Sequence, residues 1–182
     1  MKIVKVSSVV VNAVMRNWIF VKVLTDQDGL YGWGEASLNW KTRSVTGAIE
    51  DLAPLIIGRD PRDIEQLLRL MTKHSYYRLG IIGMTAISGI EHALWDILGK
   101  SVGEPVWRLL GGKARDSVRV YTHLGLGDMR TVYDTARDAG RLREKAAEVI
   151  ARGYDALKVV FVPYGHHLTV AAERRHVDTL ME

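Results

Sequence analysis

Hydrophobic and polar residues follow two different periods along this chain, and the change from one to the other outlines its architecture. Residues 2–11 alternate loosely and are rich in valine, and residues 18–24 (Trp-Ile-Phe-Val-Lys-Val-Leu) form a β-branched and aromatic run of strand length. Residues 12–17 between them read as a short loop with polar edges. After the second run, Asp26-Gln27-Asp28-Gly29 supplies hairpin chemistry, with Gly29 suited to a positive φ. Residues 30–36 read as a third strand in which Gly32 and Gly34 alternate with Tyr31, Trp33 and Glu35. That alternation predicts close backbone approach on one face and packing on the other. The chain is therefore expected to open with an antiparallel meander of three strands.

From Thr42 the apolar spacing becomes helical, with Val45, Ile49, Leu52 and Leu55 on one face until Pro54 and Gly58 close the segment. Asp60 reads as the N-cap of a second helix with Pro61 at its first position, and Ile64, Leu67, Leu68 and Met71 define the buried stripe. A third helix over 83–99 places Ala86, Ile90, Ala93, Leu94, Ile97 and Leu98 at helical intervals. The small residues Ala86, Ser88, Gly89 and Ala93 permit close packing, so this helix is expected to be the most buried. Glu91, His92 and Asp96 within it resemble a metal or acid/base cluster. Neighbours at i and i+1 diverge by ~100° on a helix, however, so they do not converge on one ligand point with Asp96. They read as polar residues that tie the helix to adjacent elements. Residues 105–112 form a short helical turn ended by Gly111-Gly112, which reads as a hinge between domains 1–112 and 113–182.

Past the hinge the pattern becomes strand (117–123), long helix (128–152, capped by Asp128 and stopped by Gly153), strand, and a further helix over 168–181. This is the repeating unit of a parallel α/β fold, present twice. Lys158 lies inside the second of these strands, in the otherwise apolar run 153–163. An ammonium buried there costs several kcal/mol unless paired, so it either marks a site or extends its head into solvent.

Composition narrows the functional classes. Hydrophobic residues make up 47% and charged residues 25% of 182 residues, the usage of a globular protein rather than a disordered one. The absence of cysteine removes disulfides, thiolate nucleophiles and Cys-based zinc sites. No stretch reads as a signal peptide or approaches the ~18 apolar residues of a membrane span, so the chain is expected to be cytoplasmic with no membrane partner. The net charge is +4, but its 25 basic and 21 acidic residues are interspersed, and no basic stripe with interleaved aromatics appears. A nucleic-acid partner is therefore not expected.

Several motifs occur together and in order: Asp28-Gly29-Leu30 with Gly32-Trp33-Gly34-Glu35-Ala36, Gly58-Arg59-Asp60-Pro61, Ala93-Leu94-Trp95-Asp96, and Pro105 through Leu109-Leu110-Gly111-Gly112. In these the chain resembles the enolase superfamily, and more closely its mandelate racemase and muconate lactonizing branch. The resemblance implies an α+β capping domain (a three-stranded antiparallel meander plus helices) followed by the first two βα units of a TIM-type (β/α) barrel. It also implies abstraction of the proton α to a carboxylate, with magnesium as cofactor. Many members carry a Lys-x-Lys pair after a Gly-Tyr/Phe-x-Ala-x stretch. Gly153-Tyr154-Asp155-Ala156-Leu157 matches that lead-in, so Lys158 falls on the first lysine and Val160 on the second.

A valine cannot move a proton, which shifts the expectation from two-lysine racemases toward sugar-acid dehydratases. A racemase, epimerase or cycloisomerase of the same family is the alternative, and a non-catalytic assembly module is another. Tyr164, His166 and His167, just past the strand's carboxyl end, lie where barrel enzymes gather acid groups and substrate contacts. In the capping domain, the resemblance assigns substrate choice to the segments 12–18 and 37–41. There Arg16 offers a fork of donors for a carboxylate, and Trp18 or Trp40 can exclude water. Such barrels need eight strands and about 250 residues. The magnesium ligands are thus expected beyond Glu182, and these 182 residues are expected to be an inactive amino-terminal portion of a longer enzyme. Partners expected are a small carboxylate substrate and a second copy or a complementing fragment.

Overall fold

The computed structural model describes residues 1–13, 16–124 and 139–158, with Ala171, Arg174 and Asp178 in helical backbone. Two compact units divide the chain, Met1–Ala114 and Arg115–Glu182.

The first unit opens with a three-stranded antiparallel sheet in the order β1 (Ile3–Ala13), β2 (Arg16–Thr25), β3 (Tyr31–Glu35). The meander forms as the alternation requires, but its first two strands are longer than the apolar runs. Asn12 pairs with Asn17 and Ala13 with Arg16, so most of the expected loop 12–17 is strand. The Asn12 side-chain amide donates to Asn17 Oδ1 at 3.2 Å, which extends the ladder through polar residues that an apolar count does not register. The second connection is the expected turn, with Gly29 at φ +73°. Thr25 Oγ1 donates to the Leu30 carbonyl at 2.7 Å and closes it.

One face of β2, carrying Ile19, Val21 and Val23, is fully buried against α1 (Thr42–Ile56) and α3 (Gly80–Val102), and α2 (Ile64–Lys73) packs on those two helices to complete the core. The helix stripes are close to those read from the sequence, with Val45, Ile49, Leu52 and Ile56 buried on α1 and Ile64, Leu67 and Met71 on α2. The Asp60 cap does not form. Its carboxylate instead accepts from the Arg62 backbone N–H at 3.0 Å and from the Arg62 guanidinium at 2.6 Å, and α2 starts three residues later than expected. That pairing holds the Asp60 carboxyl at about 2, first through the side-chain hydrogen bond from Arg62.

α3 is long and apolar enough, by length and composition, to cross a membrane. Its buried residues, among them Ala86, Ile90, Ala93, Leu94 and Ile97, belong instead to the core shared with the sheet and the other helices. Gly32 and Gly34 let β3 lie directly on this helix, since a Cβ at either would overlap the carbonyl oxygens of Ala93 and Gly89 respectively.

β3 is an edge strand, and α3 caps its outer hydrogen-bonding groups. Asp96 Oδ2 accepts from the Trp33 backbone N–H at 2.8 Å, and Lys100 Nζ donates both to the Tyr31 carbonyl at 2.9 Å and to Asp96 at 2.7 Å. Glu91 accepts from Trp95 Nε1 at 3.3 Å. Asp96 thus ties α3 to β3 as expected, whereas the Glu91 bond stays within α3, and no group of three potential metal ligands occurs among the described residues. Replacing Asp96 with alanine removes two charge-assisted bonds and leaves the Trp33 N–H unpaired. It is expected to lower the unfolding free energy by about 1–2 kcal/mol, measured by urea denaturation without added metal. An unchanged midpoint would remove the structural role.

After α4 (Val106–Leu109), Gly111 and Gly112 take positive φ and the first unit ends. In the second unit β4 (Thr122–His123) pairs in parallel with β5 (Leu157–Lys158), and α5 (Ala139–Ala151) lies between them in sequence. The expected strand 117–123 is strand only at its last two residues. Val118 and Val120 are 68% and 62% exposed, and the ladder reaches only from Thr122, whose N–H donates to the Ala156 carbonyl at 3.2 Å. Arg119 bridges to the Asp155 carboxylate at 3.1 Å and tethers the approaches to the two strands. The expected helix 128–152 is described from Ala139 on, and the helix expected over 168–181 lies almost wholly outside the described residues.

Candidate functional site

Two groups of residues carry candidate chemistry, one in each unit. In the second unit, Lys158 is the last described residue of β5 and His123 the last of β4, and the parallel register sets them side by side. Register partners on parallel strands project to the same face of the sheet, so an ammonium and an imidazole stand next to each other on two adjacent strands. The Leu124 N–H donates to the Lys158 carbonyl at 2.8 Å and fixes this register. Lys158 is exposed rather than buried, and its Nζ lies 5.8 Å from the centroid of the Tyr121 ring. That distance is at the outer limit of a cation–π contact, so the head group remains available to an anion.

Sequence reasoning passed over His123. The signal was present: a histidine closing a strand just before Gly125 and Gly127 in the sequence, at the end where parallel barrels gather their chemistry. Tyr164, His166, His167 and Val160 lie outside the described residues.

In the first unit, Arg16, Trp18 and Trp40 belong to two segments that meet at one end of the sheet. The Asn17 side-chain amide donates to Thr42 Oγ1 at 3.3 Å, the Ile19 N–H to Ser37 Oγ at 3.0 Å, and the Ala36 N–H to the Ile19 carbonyl at 2.8 Å. Arg16 is exposed at the start of β2 instead of in a loop. Trp18 is 37% exposed on the outward face of the sheet, and Trp40 is 79% exposed with a left-handed backbone, φ +62°. A non-glycine residue held at positive φ is uncommon and costs about 1 kcal/mol or more. Beside these segments an open groove of about 490 Å³ is lined by Glu35, Ser37, Ile81, Met84, Thr85 and Ser88, where the end of β3 meets the first turns of α3.

A three-stranded meander whose glycine-bearing edge strand lies on a long central helix, with loops gathered at one end, defines the α+β capping domain of the enolase superfamily. The model of the mandelate racemase / muconate lactonizing enzyme N-terminal domain matches residues 4–111. The chain belongs to that family. It is 44% identical over 149 residues to a D-galactonate dehydratase family member of Paenibacillus sp. (strain JDR-2), covering 81% of this chain and 34% of that protein. It is 43% identical over 127 residues to a D-galactonate dehydratase of Variovorax paradoxus (strain S110), covering 70% and 32%. Among solved structures, an enolase from Pantoea ananatis with bound D-gluconate and Mg superposes with a TM-score of 0.76 at 34% identity, covering 87% of this chain and 36% of that one. The chain thus spans about a third of the length of the curated relatives it matches.

Proposed function

We propose that this chain supplies the capping domain and the first two barrel strands of an aldonate dehydratase, an enzyme that removes water across C2 and C3 of a sugar acid. The observation that carries this reading is the side-by-side placement of Lys158 and His123 on adjacent parallel strands. Relatives named as D-galactonate dehydratases and a neighbour holding D-gluconate support the substrate class.

In such a dehydration a base takes the C2 proton and negative charge moves onto the carboxylate. The C3 hydroxyl then leaves as water on receiving a proton, and the resulting enol becomes a 2-keto-3-deoxy acid. Lys158 is suited to hold the developing carboxylate charge with a fixed cation. His123 beside it is suited to hand a proton to the departing hydroxyl. The base must come from elsewhere, because position 160 is valine, and this favours dehydration over two-lysine racemisation.

Magnesium, which the resemblance implies, would add positive charge at the same oxyanion. Among the described residues no group of three His, Asp or Glu side chains converges, so they offer no ligand set for it.

The test is a chimera in which residues 1–182 replace the matching part of the Variovorax relative. With magnesium and an aldonate panel, the chimera is expected to form the 2-keto-3-deoxy acid, read as its semicarbazone, while the 182-residue chain alone gives none. A folded chimera that racemises or cycloisomerises its substrate instead would overturn the dehydratase reading.

A further inference from the structure

A hairpin fixes the register of its strands through its turn, but β4 and β5 are parallel and are joined by a connection that includes α5. Their pairing must be set in another way. Apolar burial does little for it in this chain, since Val118, Val120 and Tyr121 ahead of β4 and Leu157 in β5 are all exposed. A slip of one residue would turn Lys158 to the face opposite His123.

One side chain spans the two strands just ahead of the ladder. Arg119 Nε donates to both carboxylate oxygens of Asp155, at 3.1 and 3.2 Å, and its Nη2 donates to the Asp155 backbone carbonyl at 3.1 Å. The fork grips backbone as well as side chain, so it constrains where β5 starts relative to β4 and not merely where a carboxylate rests. The bonds that follow it run from the Thr122 N–H to the Ala156 carbonyl and from the Leu124 N–H to the Lys158 carbonyl. Because the two side chains are 69% and 71% exposed, the pair adds little to global stability. Its effect is on register.

We propose that Arg119 is a positioning residue: with Asp155 as its partner, it pins the register that sets the Lys158 ammonium beside the His123 imidazole. The catalytic consequence rests on the dehydratase reading, in which these two groups act on one substrate, whereas the pin itself does not. Misplacing a reacting group by about 1 Å costs up to about 10²-fold in rate, so a contact of small energy has a large effect on turnover.

Hydrogen exchange of the 182-residue chain, followed by NMR, tests the pin without any activity. In Arg119→Ala the Thr122 and Leu124 N–H groups should exchange about two- to fivefold faster, the range open to an exposed pair, while the amides of α3 and α5 keep their rates. Asp155→Ala should do less, because the bond to the backbone carbonyl at that position survives, and the double variant should match Arg119→Ala. Unchanged rates at Thr122 and Leu124, or an equal acceleration throughout α5, would overturn the proposal. In the chimera Arg119→Ala should lower kcat/KM about tenfold, mostly in kcat, but less than about twofold in the Lys158→Met background. Equal losses in the two backgrounds would also overturn it, since Arg119 would then act independently of Lys158. A parent chimera that turns over no aldonate counts against the dehydratase reading, and the exchange rates then decide the pin by themselves.

Discussion

Gly34→Ala is expected to destabilise the capping domain by about 3 kcal/mol or more. The magnitude follows from what the new methyl group meets. A Cβ at this position overlaps the Gly89 carbonyl oxygen and comes within 2.9 Å of His92 Cβ and 3.0 Å of the Ala93 nitrogen. Most of these atoms are helix backbone, so no rotamer change relieves the clash, and β3 and α3 must separate. Overpacking a flexible core typically costs 1–3 kcal/mol, and a rigid backbone contact belongs at or above the top of that range. Separation also strains the Asp96 and Lys100 bonds that cap the edge of β3.

Gly47→Ala is the control. Gly47 lies inside α1 with nothing within 4 Å of its would-be Cβ, so alanine there should be neutral or stabilising by up to about 1 kcal/mol. Thermal denaturation followed by circular dichroism should show a fall of more than about 10 °C for Gly34→Ala and no fall for Gly47→Ala. Equal midpoints for Gly34→Ala and the wild type would mean that β3 does not lie on α3 as described.

That contact was legible in the sequence because glycines alternating with large residues in a strand have few other physical explanations. The helical stripes were legible for a similar reason: burial of one face imposes a period. What escaped depended on competition or distance. Asp60 and Pro61 match a helix start, but Arg62, two residues on, offers the same carboxylate a better partner than the helix N–H groups do. Asp96 was read as a tie, yet its partner, the Trp33 N–H, lies 63 residues away, and no local pattern names it. The hairpin between β1 and β2 is tighter than hydrophobicity suggests because Asn12 and Asn17 continue the ladder with their own amides. His123 escaped because its neighbour is made by strand pairing: only the register with β5 sets it beside Lys158. Lys158 itself drew attention as a lysine in an apolar run, and the structure changes the reason for interest. It is exposed, so its interest lies in its place beside His123 on a parallel strand rather than in a cost of burial.

On the proposed reading, Lys158→Met in the chimera should lower kcat/KM by about 10²–10³-fold, the usual loss when one preorganised donor to a developing oxyanion is removed. Stability should scarcely change. The only described contact of its head group is the 5.8 Å approach to a Tyr121 ring that is itself 59% exposed, and an exposed cation–π contact contributes at most about 1 kcal/mol. Loss of activity at constant stability separates a substrate-facing cation from a lysine that merely props the strand, for which the two would fall together. Lys158→Arg keeps the charge but moves it outward on a longer fork, so it should recover part of the loss, more in KM than in kcat if the cation mainly holds the ground-state carboxylate. His123→Asn should act on kcat and remove a limb of its pH profile, because an amide of similar shape cannot give up a proton. If Lys158→Met stays within about threefold of the parent chimera, the lysine is a solvated strand end and the carboxylate must find its cation elsewhere.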